Sequence, residues 1–109
     1  MKFLQLFEDA RIAQVIQNLV GEFRRGGDCK TPREINSGYC DLFAERLEQE
    51  LRAIGIHIDD LHQEESDEET GEGVDHAWVE IGGRHYDAEC PHGTPTRGGL
   101  PCFRRLKIT

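Results

Sequence analysis

His76-Ala77-Trp78-Val79-Glu80-Ile81-Gly82-Gly83-Arg84-His85-Tyr86-Asp87 is the stretch on which the fold turns. Val74 to Ile81 is rich in Val, Trp and Ile and reads as a strand. Gly82-Gly83 is a two-residue hairpin signal, and Arg84 to Glu89 returns as the partner strand. With the two glycines as the loop, Ile81 lies opposite Arg84, Val79 opposite Tyr86, Trp78 opposite Asp87 and His76 opposite Glu89. Residues two apart on a strand share a face, so His76, Trp78 and Glu80 share one with His85, Asp87 and Glu89. Glu89 is then directly across from His76, and Asp87 is its diagonal neighbour, about 7–8 Å away between backbones. Either carboxylate reaches the imidazole from there.

Helices lie on the N-terminal side of this hairpin. Ile12, Ile16, Leu19, Val20 and Phe23 recur on one face of a 3.6-residue period and predict a helix over 9–25. Asp9 suits its first turn, Arg24 and Arg25 its last, and Gly26-Gly27 stops it. Phe3 to Phe7 either extend it or form a separate turn. Residues 28–37 read as a connector. A second helix runs from near Tyr39 to Ile54, with Phe43, Leu47, Leu51 and Ile54 as its apolar stripe, Ser37 as its N-cap and Gly55 after its end.

Ile56-His57-Ile58 is a short strand by composition. Residues 59–75 carry nine acidic residues and no Lys or Arg, which predicts a mobile, solvated loop. That loop could also act as a lid, a repeller of acidic substrates or a collector of cationic ones. Residues 91–101, with three prolines and three glycines, read as a loop, and Cys102 to Ile108 as a last strand. Two helices followed by three to four strands in 109 residues is one α+β domain.

Composition excludes several classes. The net charge is −8, with 13 basic and 21 acidic residues, whereas phosphate contacts need clustered Lys and Arg. The same balance opposes docking on an anionic membrane. No apolar run approaches the ~18 residues of a membrane span, and the apolar patch at the N-terminus is short for a secretory signal. The expectation is a cytoplasmic protein with Cys29, Cys40, Cys90 and Cys102 reduced. A Cys29–Cys102 disulfide belongs only to an oxidising compartment. None of the four has the C-x2-C spacing of a zinc knuckle, and no metal ligand set is assigned.

The chemistry concentrates at Cys40. It sits in the first turn of a helix, where free N–H groups and the dipole favour a thiolate. A thiolate needs a neighbouring base or cation, and His76 at the head of a strand can supply it. A carboxylate on His76 would fix its tautomer and stabilise imidazolium. Gly38-Tyr39-Cys40 opening an amphipathic helix, then His76-Ala77-Trp78-Val79-Glu80, a glycine turn and Tyr86-Asp87, resembles the transglutaminase-like branch of the papain-like cysteine peptidase superfamily.

The resemblance covers about residues 33 to 92. It implies a nucleophile helix packed on a small antiparallel sheet, a nucleophilic Cys40, a general acid/base His76 and an orienting Asp87. It also implies acyl transfer from an amide or (iso)peptide through a thioester, on a peptide or protein substrate, with no cofactor. Glu89 stays open as the alternative orienting acid. The Cys40 N–H and the Asn36 side chain are the candidate oxyanion donors, and Trp78 and Tyr39 the candidate cleft walls. Two other readings stand beside the enzyme. One is an acidic interaction protein that mimics a polyanion; the other is a small structural zinc domain using Cys90 and His92, with Cys29 or Cys102.

Overall fold

The computed structural model describes residues 2–106, with side chains from residue 8 onward. Helix α1 spans Lys2–Arg25, so the Phe3–Phe7 stretch belongs to it and Asp9 lies inside the helix rather than capping it. Ile12, Ile16 and Leu19 are buried, with Val20 and Phe23 packed beside them, which is the expected stripe. Arg24 and Arg25 occupy its last turn.

The segment 28–37 is not a plain connector. Helix α2 spans Pro32–Gly38. Thr31 caps it, its Oγ1 accepting from Glu34 N–H at 3.2 Å, with Pro32 at the first helical position. Glu34 reaches back to the Lys30 N–H at 3.3 Å. Thr31-x-x-Glu34 has the sequence of a capping box, with Glu34 held on the N–H one residue before the cap. Ser37 consequently belongs to α2, where its hydroxyl donates to the Arg33 carbonyl, and it does not cap the next helix.

Helix α3 spans Cys40–Ala53, with Tyr39 at its N-cap and no side-chain cap. Phe43, Ala44, Leu47 and Leu51 are buried, while Ile54, expected in the same stripe, falls beyond the helix end and is exposed. Each fully buried large aliphatic here contributes about 1.5–3 kcal/mol relative to exposure.

Four strands follow in a simple meander, all antiparallel: β1 (Asp60–Glu64), β2 (His76–Ile81), β3 (Arg84–Asp87) and β4 (Cys90–Thr94). The β2–β3 register pairs Ile81 with Arg84, Glu80 with His85 and Val79 with Tyr86, as the glycine turn dictates. Gly82 and Gly83 both have positive φ, 58° and 80°, the requirement of a two-residue hairpin whose twist matches its strands. The ladder does not continue to His76 and Glu89. β3 ends at Asp87, which pairs with Cys90 across a tight Ala88-Glu89 turn.

Two expectations about strands are overturned. Ile56-His57-Ile58 is irregular chain whose two isoleucines are buried in the core. The strand begins four residues later, inside the stretch expected to be a mobile loop: Asp60–Glu64 pairs residue for residue with Glu80–His76. An edge strand tolerates charge along its solvent face, so acidic composition does not exclude pairing. The rest of the acidic segment is closed by its own hydrogen bonds. Asp67 Oδ1 accepts from the N–H groups of Glu69 and Thr70, and Asp75 Oδ1 accepts from Ser66 N–H at 2.7 Å.

The C-terminal expectation changes as well. Residues 91–101 contain most of β4 and a 3-10 turn at Arg97–Gly99, and Pro101–Leu106 is helix α4, not a strand. Residues 107–109 lie outside the described residues. Proline at the first helical position starts α4.

The sheet is covered on both faces. Val79, Ile81 and Tyr86 join the main core beneath α1 and α3. Trp78, on the opposite face of β2, packs with Leu100, Cys102 and Phe103 in a second, smaller cluster. The architecture is α+β, a four-stranded antiparallel sheet with helices. No described helix is long and apolar enough to cross a membrane.

Candidate active site

Cys40, His76 and Asp87 come from three different elements and meet at one end of the sheet. Cys40 is the first residue of α3, His76 the first of β2 and Asp87 the last of β3. Cys40 is half-buried, while His76 and Asp87 are each 2% exposed. His76 Nε2 and Asp87 Oδ2 are 2.9 Å apart. The second oxygen, Oδ1, accepts from Glu89 N–H at 2.9 Å. Both oxygens are engaged, so the carboxylate is fixed in one orientation.

His76 is walled in by aromatic rings. Trp78 stacks on it at 5.7 Å between centroids, and Phe103 meets it edge-on at the same distance. Burial alone would lower the imidazole pKa. The Asp87 carboxylate, helped by the neighbouring sulfurs of Cys102 and Cys40, reverses that and holds it up to about 11. Burial would likewise push the Cys40 thiol up, but the His76 imidazole and the Ala77 backbone bring it below its ordinary 9.0. Both shifts run in the direction that favours imidazolium and thiolate over the neutral pair. Nε2 is taken by Asp87, and the buried Nδ1 makes no hydrogen bond of good geometry.

The pH dependence of stability follows from these shifts. A raised His76 pKa stabilises the fold below about pH 6.5, and the contribution is lost as pH rises toward 11. A lowered Cys40 pKa acts in the opposite sense, contributing above 9.0 and fading as pH falls through the folded value. In the window between, the two slopes offset. A Cys40→Ala protein keeps only the His76 slope, so its urea midpoint should fall steadily from about pH 6 to about pH 9, more steeply than that of the parent. Parallel curves for the two proteins would refute the coupling.

No protein-family model, no curated protein and no solved structure matches this chain.

The remaining expected site residues separate into those near the triad and those elsewhere. Asn36 on α2 lines the same cleft of about 510 Å³ as Cys40 and His76. It is 7% exposed and donates from Nδ2 to Glu89 Oε1 at 2.9 Å, leaving one amide N–H and an unpartnered Oδ1. Glu89 does not orient His76. The turn after β3 carries it away, and Arg105 on α4 holds both its oxygens at 2.8 and 2.9 Å. Burial would raise its pKa, but Arg105 and Asn36 hold it below the usual carboxylate value.

Trp78 backs the imidazole from within the small cluster rather than walling the cleft. Its indole N–H donates to His85 Nδ1 at 2.9 Å. Tyr39 packs against the main core and is not among the described residues lining the cleft.

Cys102 is the site residue that sequence reasoning missed. It lies buried on α4, and its sulfur, a His76 nitrogen and an Asp87 oxygen are all within 4.8 Å of one another. Phe103 and Arg105 come from the same helix. A six-residue helix shows too little periodicity to be read, and only Pro101 marked its start.

Among the described residues, two groups have the composition of metal ligands: His76 with Asp87 and Cys102, and His62 with Glu80 and His85. In the first, the histidine and carboxylate are hydrogen-bonded directly to each other. Neither group contains Cys90 or His92. Cys29 lies in the main core and Cys102 in the small cluster across the sheet, and both are free thiols.

Proposed function

We propose that the protein is a cysteine-dependent acyl-transfer enzyme of papain-like, transglutaminase-like type, hydrolysing an amide or (iso)peptide bond. The observation that carries this reading is the meeting of Cys40, His76 and Asp87 from three separate elements, with the imidazole pinned by a buried carboxylate. The first-turn position of Cys40 adds the helix N-terminus to the forces favouring thiolate.

The chemistry runs as follows. Cys40 Sγ attacks the substrate carbonyl carbon, and the carbonyl π electrons move to oxygen. His76 donates its Nδ1 proton to the amide nitrogen as the C–N bond breaks. This releases the amine and leaves a thioester on Cys40. Water then attacks the thioester, His76 Nδ1 takes a water proton, and the carboxylic acid departs as Sγ leaves. Asp87 stays on Nε2 throughout, keeping Nδ1 directed at the reacting groups. The Cys40 backbone N–H and the remaining Asn36 N–H are the donors available to the developing oxyanion. The mechanism requires no cofactor. It requires a reduced thiol, for which the cytoplasm is the fitting compartment. Peptides and proteins are the natural source of such amides.

Cys90 provides an internal control, because it is half-buried like Cys40 but burial pushes its thiol up. With iodoacetamide near neutral pH and mass mapping of each site, Cys40 is expected to react at least about tenfold faster than Cys90. Equal rates at the two would remove the enzymatic reading.

A further inference from the structure

The cleft beside Cys40 has an unusual charge balance. Asp41, Glu64, Glu65, Glu68 and Asp75 line it, and no Lys or Arg is among its described lining residues. Glu64 is paired with Arg97, which holds its carboxyl below the usual value, so its charge is matched. The imidazole of His76 is balanced by Asp87. Asp41, Glu65, Glu68 and Asp75 remain, all exposed and none in a described ion pair with Lys or Arg. Asp75 and Glu68 belong to the acidic segment that follows β1, whereas Asp41 is on α3, so the carboxylates approach the cleft from two sides.

Charge alone would describe any solvated surface. A second feature points to a ligand. Asn36 is more than nine-tenths buried, lines this cleft, and its Oδ1 has no hydrogen-bond partner. The amide cannot turn over to hide the deficit, because its Nδ2 is bonded to the Glu89 carboxylate, and a flip would set oxygen against oxygen. Arg105 fixes Glu89 in turn. A fixed acceptor without a donor is therefore buried in the wall of the cleft, beside its negative charge. A ligand that supplies N–H donors and positive charge suits both, whereas the wall repels an anionic ligand.

We infer that this site selects substrates carrying a cationic nitrogen, a Lys or Arg side chain, next to the amide that Cys40 attacks. The inference rests on the proposed acyl-transfer function. Attraction by the wall raises the local concentration of cations over anions and weakens with added salt.

The test uses small thiol reagents of opposite charge on the full chain. Cationic aminoethyl methanethiosulfonate and anionic sulfonatoethyl methanethiosulfonate are compared at Cys40 by mass mapping, each rate divided by its rate with free 2-mercaptoethanol. Iodoacetamide, which is neutral, reports Cys40 reactivity itself. The cation-to-anion ratio is expected to exceed about tenfold at low salt and to shrink toward unity near 1 M salt. A Glu65→Gln, Glu68→Gln double variant should lower the ratio by about threefold. A ratio near or below one, with Cys40 still fast toward iodoacetamide, overturns the charge selectivity and leaves the enzyme standing. A high ratio unmoved by the double variant also overturns it, since the preference would then come from the overall charge. Slow iodoacetamide labelling of Cys40 overturns the enzyme and this inference together.

Discussion

An Asp87→Ala protein will be less stable than its parent by about 3–5 kcal/mol, the usual result of removing one partner from a buried charged pair. His76 is fully enclosed, and Asp87 is the strongest influence opposing the burial that disfavours its charge. Without the carboxylate, the largest influence opposing burial is gone and the imidazole pKa falls from about 11. Cys40 then loses the cation that lowers its pKa, and its alkylation near neutral pH should slow by at least about tenfold. Asp87→Asn will not be silent either. Asp87 accepts from two donors, His76 Nε2–H and Glu89 N–H, and an amide has one oxygen to offer. One buried donor would face an NH2 group, at a cost of about 1–3 kcal/mol. Urea titration monitored by Trp78 fluorescence measures both effects. A loss below ~1 kcal/mol in Asp87→Ala would mean that the pair is not the buried contact described.

Cys40→Ala is expected to separate stability from chemistry in the other direction. The side chain is half-buried at a helix start, so its removal leaves the main core intact. Acyl transfer, in contrast, should fall by on the order of 10⁴-fold or more, because the other thiol close to His76, Cys102, is buried and does not line the cleft. p-Nitrophenyl acetate reads this without knowledge of the natural substrate. The parent should give a burst of about one equivalent of nitrophenolate per chain as Cys40 is acetylated, and the variant should give none. A burst that survives the substitution would assign the nucleophile elsewhere, with Cys102 the first residue to examine.

The parts of the fold carried by local pattern were legible in the sequence. The stripes of α1 and α3 span several turns each, and the Gly82-Gly83 loop set the β2–β3 register residue for residue. The place where that register stops was not legible. Continued to His76, it would put Glu89 opposite; the Ala88-Glu89 turn instead lets Asp87 take the imidazole. Charge misled at β1, where backbone pairing holds a strand whose composition is that of a loop. The capping box of α2 was present in the sequence as Thr31-Pro32-Arg33-Glu34 and marks a helix too short to show a stripe. What no local reading could supply is the Arg105–Glu89–Asn36 chain, whose members come from α4, a turn and α2. Such contacts exist only once the sheet has formed.

The two-residue turn at Ala88-Glu89 thus serves as a common hinge pin. Its first neighbour, Asp87, steers the imidazole, and its second member, Glu89, steers Asn36. Lengthening that corner by a single residue would throw base and amide out of alignment at once, so this is the spot least able to absorb an insertion.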